Sequence, residues 1–162
     1  MSAFVYLLLG SNLGNSLETL TRARHEISRL AGSIVTTSSI YKSAAWGKED
    51  QPDFYNQAIK IQTSLPPEAL LLTLLAIEKT AGRIRIDKWG PRVIDIDILF
   101  YGDLVLKSAH LTIPHPELPN RNFALVPLRE IEPELVHPEL QKTINELCET
   151  TPDKLPLEKL TL

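Results

Sequence analysis

Cysteine is nearly absent from this chain of 162 residues, which contains Cys148 alone. A single cysteine can form neither an internal disulfide nor a cysteine metal cluster, which suits a reducing compartment, with the cytoplasm as the default. Long apolar runs are also missing, since the stretch from Ala3 to Leu9 is too short to cross a bilayer and lacks the basic flank of a signal peptide. We therefore expect a soluble protein with no membrane partner.

Excess positive charge is absent as well, because the net charge is −3 and the sequence pI is near 5.8. Domains that bind nucleic acid are as a rule strongly basic, so nucleic acid is not an expected partner. The length predicts a single domain over residues 1–162, large enough to bury roughly two thirds of its unfolded surface without a metal or a disulfide. No obligate protein partner is expected.

The spacing of the apolar residues predicts the element order β-α-β-β-α-β. Helices are expected after the capping box of Asn15 and Glu18 and after Pro66 and Pro67, each closed by a glycine. This is the order of the ferredoxin-like split βαβ unit, an α+β fold whose antiparallel sheet carries both helices on one face and leaves the other free for a site. The C-terminal extension should wrap the sheet as extended segments, a short hairpin and short helices. The predicted strands cover residues 3–9, 33–41, 55–63 and 93–99.

Two aspartates, Asp95 and Asp97, stand two positions apart in a run of alternating apolar residues. Side chains at i and i+2 of a strand share one face, about 6.6 Å apart, and acidic residues fit strands poorly. Two carboxylates that face a common space suit Mg²⁺, which takes its other ligands from water and substrate phosphates, and two ions about 3.5–4 Å apart would fit between them. The alternative is an edge strand with a solvated polar face.

A basic segment, residues 82–92, precedes the aspartates and carries four cationic side chains against one acid. Arginine binds phosphate through a pair of N–H groups and lysine through a point charge, so polyphosphate is the natural ligand. Salt bridges from these cations to Asp95 and Asp97 are the alternative, and both interpretations place the segment beside the strand. Mutual repulsion of the cations also predicts a loop that closes only over bound phosphates. The cations are Arg83, Arg85, Lys88 and Arg92.

The turn from Gly10 to Asn15 lies between a strand and a helix, where backbone amides can hold phosphate. It lacks the sequence of a Walker loop or of a dinucleotide fold, so we favour a purely structural turn. His115 lies in a proline-flanked stretch six residues before Arg121, and the two could add donors to a phosphate site. The other three histidines are expected at the surface: His25, His110 and His137.

Phe54 and Phe123 are aromatic residues near the predicted sheet and the following loop. Such residues are more often part of a core than of a ligand site. Together with the amide of Asn56, however, two phenyl rings could hold a flat heterocycle and bind its edge.

These motifs together resemble the 6-hydroxymethyl-7,8-dihydropterin pyrophosphokinase family of folate biosynthesis, in collinear order from about Phe4 to Val136. The segment W-G-P-R-x-x-D-x-D is diagnostic of that family. The resemblance implies an enzyme that moves the β,γ-diphosphoryl group of ATP onto the pterin hydroxymethyl and releases AMP, which composition and spacing could not indicate. The segments that carry it are Gly10 to Gly14, Gln51 to Asn56, Arg83 to Arg85, Trp89 to Ile98, Pro114 to Pro116 and Arg121 to Phe123.

The resemblance also implies roles for individual residues. Asp95 and Asp97 would hold two Mg²⁺ ions and, with Arg83 and Arg92, form the catalytic set. Two rings would stack on the pterin while an amide binds its edge. The ATP site would comprise Glu78, Arg83, Arg85, Trp89, Arg92, Ile98, His115 and Arg121. The pterin site would comprise Ser43, Ala44, Ala45, Trp46, Phe54, Asn56, Trp89, Arg92, Asp95 and Phe123.

The chain departs from the family pattern at three places. Residues 43–46 lack the usual proline, Phe54 stands where tyrosine is also found, and Leu75 replaces a polar residue near the adenine site. We expect these to alter affinity and not chemistry. Two rival interpretations share the fold: an RNA-recognition module, which would need aromatic residues that strand residues 57–61 lack, and a small-molecule regulatory domain, which has no use for paired aspartates.

Overall fold

The computed structural model describes residues 2–44, 52–81 and 93–161. Within these ranges, none of the helices combines the length and the apolar character needed to cross a membrane. The elements, in chain order, are β1 Ala3–Ser11, α1 Ser16–Leu30, β2 Ser33–Thr37, β3 Tyr41–Ser43, β4 Phe54–Thr63, α2 Pro67–Thr80, β5 Asp95–Tyr101, β6 Leu106–Lys107, β7 Thr112–Ile113, a 3-10 turn Leu118–Asn120, α3 Asn122–Ile131, α4 Ile144–Thr150 and β8 Glu158–Lys159.

Local sequence sets the ends of α1 and α2. The Asn15 side chain accepts a hydrogen bond from the Glu18 N–H at 3.2 Å, so α1 begins at the predicted cap. Gly32 follows α1 because a Cβ there would clash with the Gln62 carbonyl oxygen of β4. Helix α2 begins at Pro67, where the missing N–H of proline has no intrahelical partner to lose.

The described residues form a six-stranded sheet in the order β5-β1-β4-β3-β8, with β2 also paired to β4. All of these pairings are antiparallel, and the order is consistent with the predicted ferredoxin-like unit. The prediction of a single strand over residues 33–41 is wrong, because two strands, β2 and β3, cover this region. The buried Ser38 hydroxyl between them accepts the Ala58 N–H at 3.0 Å, which replaces a regular ladder bond.

Helices α1 and α2 pack on one face of the sheet, as predicted. This face, which we call the helix face, is an apolar cluster from both helices and the central strands, including Leu7, Leu20, Ile59, Ile77 and Ile98. Each of these side chains is 5% exposed or less. Burial of this continuous apolar layer supplies the main driving force for the fold.

We call the opposite face the site face. It was expected to be free, but α3 and α4 cover one end of it. Ala124, Leu125 and Leu128 of α3 pack there against Leu8 and other buried residues. Helix α3 escaped prediction because Pro127 lies inside it and proline ordinarily interrupts helices. The apolar face that α3 buries on the sheet offsets the missing backbone hydrogen bond.

Candidate active site

Both aspartates lie on the site face. Asp95 pairs with Gly10 and Asp97 with Leu8 across the antiparallel β1 and β5, and directly opposed residues point to the same side of a sheet. Leu8 belongs to the site-face cluster, whereas Ile96, between the aspartates, packs on the helix face. The carboxylates therefore share one face, as predicted, and both are partly exposed. Strand β5 is also an edge strand, as in the alternative interpretation.

Gly10 makes room beside the aspartates. It pairs with Asn56 on one side and with Asp95 on the other. A Cβ on Gly10 would lie 2.7 Å from the Asn56 Oδ1, so only glycine lets the Asn56 amide lie across β1. Asn56 is 4% exposed and also pairs with Tyr41 of β3. The row Asp95, Gly10, Asn56 and Tyr41 thus runs across four strands, and the Asn56 amide lies over Gly10 in it. This role of Gly10 was not predicted from the sequence.

His115 is anchored to the aspartate strand. Its backbone N–H donates to the Leu99 carbonyl at 3.1 Å, and its Nδ1 accepts the Glu117 N–H at 3.1 Å. Since Nδ1 is an acceptor, the neutral ring carries its proton on Nε2. Burial and the charge of Arg121 lower the pKa of His115 from 6.5 to about 4, against the opposing effects of Glu117 and Asp95. The ring is therefore a neutral hydrogen-bond donor near pH 7.

Arg121 and Phe123 lie at the start of α3. The guanidinium carbon of Arg121 is 5.6 Å from the Phe123 ring centroid, and both side chains are half-buried. Phe123 also packs at the margin of the site-face cluster. Arg121 and Asp95 both influence the pKa of His115, in opposite directions.

The β3–β4 hairpin carries another part of the predicted site. Ser43 pairs with Phe54; Ser43 is buried, Ala44 exposed and Phe54 half-buried. Asn12, in the turn after β1, donates from Nδ2 to the Pro52 carbonyl at 3.2 Å and so holds the chain just before Phe54. The interpretation of this turn as purely structural stays a prediction, because its alternative concerns the backbone amides.

Glu78 and Ile98 belong to the opposite side of the sheet. Glu78 of α2 is 4% exposed, and its Oε2 accepts the Ile96 N–H at 2.7 Å. This bond holds the backbone of β5 between the two aspartates, so Glu78 positions the strand. Ile98 is 5% exposed in the helix-face cluster. Contact of either residue with a nucleotide stays a prediction.

The remaining predicted residues lie outside the described part of the chain. The predicted closing loop falls there too. These residues are Ala45, Trp46, Arg83, Arg85, Trp89 and Arg92.

The donor set fits magnesium held jointly with a nucleotide. Among the described residues, no group of three or more His, Cys, Asp or Glu side chains could hold a metal by itself. Mg²⁺ is ordinarily bound by one or two carboxylates together with substrate phosphates and water. Asp95 and Asp97 carry two carboxylates of this kind on one face of β5.

One of the three histidines expected at the surface is buried. His137 is 4% exposed, and its Nδ1 accepts the backbone N–H groups of Glu139 and Leu140, each at 3.1 Å. Its ring packs edge-on against Phe100 with centroids 5.6 Å apart. His137 is thus a structural residue beneath α4, while His25 and His110 are exposed as predicted.

The sequence is similar to a defined family over most of its length. Residues 6–133 match the family model of 7,8-dihydro-6-hydroxymethylpterin-pyrophosphokinase (HPPK). A Synechocystis 2-amino-4-hydroxy-6-hydroxymethyldihydropteridine pyrophosphokinase is 49% identical over 87% of this chain and 72% of its own length. The proteins of the same name from Haemophilus influenzae and Aquifex aeolicus are 47% and 44% identical, over 84% and 89% of this chain and 86% and 89% of their own lengths.

Solved structures share the fold. The HPPK-DHPS triple mutant S436F/A437G/A613T of Plasmodium falciparum with STZ-DHP matches 92% of this chain with a TM-score of 0.76 and 19% identity. The wild-type protein with SDX-DHP matches 91% with a TM-score of 0.72 and 20% identity. In both cases this chain spans 43% of the larger chain. At this identity the likeness extends to the fold alone.

Proposed function

The chain belongs to the 7,8-dihydro-6-hydroxymethylpterin-pyrophosphokinase family, an enzyme family of folate biosynthesis, and we propose the following reaction from that premise. The hydroxymethyl oxygen of 6-hydroxymethyl-7,8-dihydropterin attacks the β-phosphorus of ATP. The bond from that phosphorus to the oxygen of AMP breaks, the pterin diphosphate forms, and the hydroxyl proton is released. This proposal is supported mainly by the placement of Asp95 and Asp97 on one face of β5, with His115 anchored to the same strand at Leu99.

Asp95 and Asp97 would hold two Mg²⁺ ions in this reaction. When bound, the metal neutralises the triphosphate charge and favours loss of the hydroxyl proton. The aspartates themselves set where the phosphates lie relative to the sheet.

His115 and Arg121 would bind the nucleotide phosphates from the side of α3. Arg121 supplies a permanent positive charge. His115 supplies a neutral Nε2–H donor, and its low pKa keeps it in that form at physiological pH. Arg83, Arg85 and Arg92 would add charge to the same phosphates.

The pterin would lie between the β3–β4 hairpin and the start of α3. Phe123 and Phe54 would stack on its two faces, and the buried Asn56 amide would bind its edge. Ser43 and Ala44 would contribute backbone groups. Polar atoms held rigidly in a partly apolar pocket are the usual basis of specificity for a flat heterocycle.

The test is to incubate the protein with ATP, Mg²⁺ and 6-hydroxymethyl-7,8-dihydropterin and to separate the nucleotides. AMP, formed in equal amount to the pterin diphosphate, is the expected product. ADP would mean an ordinary kinase, and unchanged ATP would mean a binding module without catalysis. A reaction without pterin is the control, because AMP or ADP formed there would come from hydrolysis and not from transfer.

A further inference from the structure

The last part of the chain connects two elements of the site face. We call residues Asp153 to Leu160 the C-terminal strap. It lies beyond residues 6–133, the range that matches the family model. One end of the strap contacts the start of α3, and the other end pairs with β3.

At the first contact, Asp153 caps α3 from a distance in sequence. Arg121, at the N-cap position, makes no capping hydrogen bond with its side chain. Instead, the Asp153 Oδ2 accepts the Asn122 N–H at 2.8 Å, while its Oδ1 accepts the Leu155 N–H at 2.9 Å. The Asn122 side chain in turn donates to the Leu155 carbonyl at 3.1 Å. A carboxylate at a helix N-terminus is favourable electrostatically as well as through its hydrogen bond.

The position of this cap matters because Asn122 lies directly between Arg121 and Phe123. Arg121 has a separate anchor, since its N–H donates to the Leu118 carbonyl of the preceding 3-10 turn at 3.2 Å. Loss of the Asp153 cap should therefore loosen Phe123 more than Arg121.

At the second contact, β8 pairs with β3. Tyr41 is opposite Lys159 and Lys42 opposite Glu158, and the Leu160 N–H donates to the Ile40 carbonyl at 2.9 Å. Strand β3 is only three residues long, ends at Ser43 and is followed directly by Ala44. The strap thus pairs with the outer side of a short strand that would otherwise be an edge of the sheet.

We propose that the C-terminal strap is a positioning element for the pterin half of the site, with Asp153 as its main positioning residue. It holds Phe123 at the start of α3 and Ser43 at the end of β3 in fixed relation to each other. The aspartates lie on β5, at the opposite edge of the sheet from β8, so the strap acts on the pterin and not on the metal side. This inference rests on the proposed function.

Helix α3 has other attachments that keep it docked when the cap is removed. Near its C-terminal end, Glu130 accepts the Tyr41 hydroxyl at 2.6 Å. Just beyond the helix, Glu132 accepts the Tyr6 hydroxyl at 2.9 Å and the Lys60 ammonium at 3.0 Å. Substitution of Asp153 is therefore expected to free only the first turn of α3.

The test measures binding of 6-hydroxymethyl-7,8-dihydropterin and, separately, of a non-hydrolysable ATP analogue with Mg²⁺ to the Asp153→Ala variant. We expect the pterin Kd to rise roughly fivefold, as one lost helix cap implies, and the nucleotide Kd to change less than about twofold. In turnover, KM for the pterin should rise while kcat is nearly unchanged. Asp153→Asn keeps one acceptor oxygen and should fall between the parent and the alanine variant. Asp103→Ala, the same substitution at an exposed turn after β5, is the matched control.

A double variant separates positioning from a general loss of stability. In a Phe123→Ala background, Asp153→Ala should hardly change the pterin Kd further, because the ring it positions is gone. The proposal would be overturned if Asp153→Ala changed the Kd of both ligands equally, or changed neither. If the alanine variant does not fold, the same comparison is made with Asp153→Asn. If the parent binds pterin and forms AMP and the Asp153 variants bind pterin equally well, only the positioning role of the strap is refuted. If the parent neither binds pterin nor forms AMP, the proposed function fails as well.

Discussion

The two faces of the sheet are built from the same strands but differ in composition. On the helix face, Leu7, Ile59 and Ile96 are 0–5% exposed and form a continuous apolar layer beneath α1 and α2. On the site face, a buried apolar cluster lies beneath α3 and α4 at one end, and Gly10, Asn56 and Asp95 occupy the other end. Because side chains alternate along a strand, one strand can stabilise the fold with one side and bind ligands with the other.

This difference predicts which substitutions affect stability and which affect activity. Removing an apolar side chain from the helix face leaves a cavity in a packed core. Removing a carboxylate from the site face instead relieves repulsion between like charges.

The largest effect is expected for Asp95→Ala. Turnover should fall by about a thousandfold or more, because Asp95 would no longer hold the Mg²⁺ that neutralises the reacting phosphates. The melting temperature without Mg²⁺ should equal or exceed that of the parent, since two neighbouring carboxylates no longer repel each other. Nucleotide assays and thermal melts measure the two quantities. A variant that melts well below the parent without Mg²⁺ would make Asp95 a structural partner of nearby cations.

Leu7→Ala should lower the stability of the protein and leave its turnover nearly unchanged. Leu7 is fully buried on the helix face, so the free energy of unfolding should fall by about 2–5 kcal/mol. Below its melting temperature the variant should keep a kcat near that of the parent. Denaturant unfolding and initial rates decide this prediction, and a variant of parental stability with low kcat would show that the two faces do not divide these roles.

The low pKa of His115 predicts a pH dependence of stability. Its pKa is about 4 in the folded protein against 6.5 as the ordinary value, so the unfolded chain binds more protons between these values. The stabilising contribution of the neutral ring is therefore complete above pH 6.5 and is lost as the pH falls towards 4. His115→Gln should lose less stability than the parent between pH 7 and pH 4, a window taken from these pKa values. If His115→Gln lost as much stability as the parent over this pH range, the His115 ring would not be buried as described.

The smallest of these effects is expected for Phe123→Ala. A stacked ring contributes on the order of 1 kcal/mol beyond its buried area, so the pterin Kd should rise roughly fivefold or more. The nucleotide Kd should rise much less. Titration calorimetry with each ligand gives both values, and equal losses would assign Phe123 to the core instead.

The sequence predicts well those features that depend on neighbouring residues. The cap at Asn15, the start of α2 and the shared face of Asp95 and Asp97 all follow from local spacing, and the structure confirms them. The structure also confirms that both predicted helices pack on the same face of the sheet.

Features that depend on distant contacts could not be predicted in this way. Helix α3 forms despite Pro127 because its apolar side chains pack on the sheet. The strand predicted over residues 33–41 divides because Ser38 bonds to β4, 20 residues away. Asp153 caps a helix 31 residues earlier in the chain, a bond that no local pattern indicates. The role of Gly10 likewise requires the register of β1 against β4.

The most direct test of the division between the two faces is a pair of adjacent substitutions, Ile96→Ala and Asp97→Ala. Ile96 is 5% exposed on the helix face, whereas Asp97 pairs with Leu8 on the site face. Melting temperature without Mg²⁺ and kcat below the melting range would be measured for both variants. Ile96→Ala should have a lower melting temperature with near-parental kcat, whereas Asp97→Ala should have a parental or higher melting temperature with no turnover. A loss of stability in Asp97→Ala, or full turnover in it, would contradict the account.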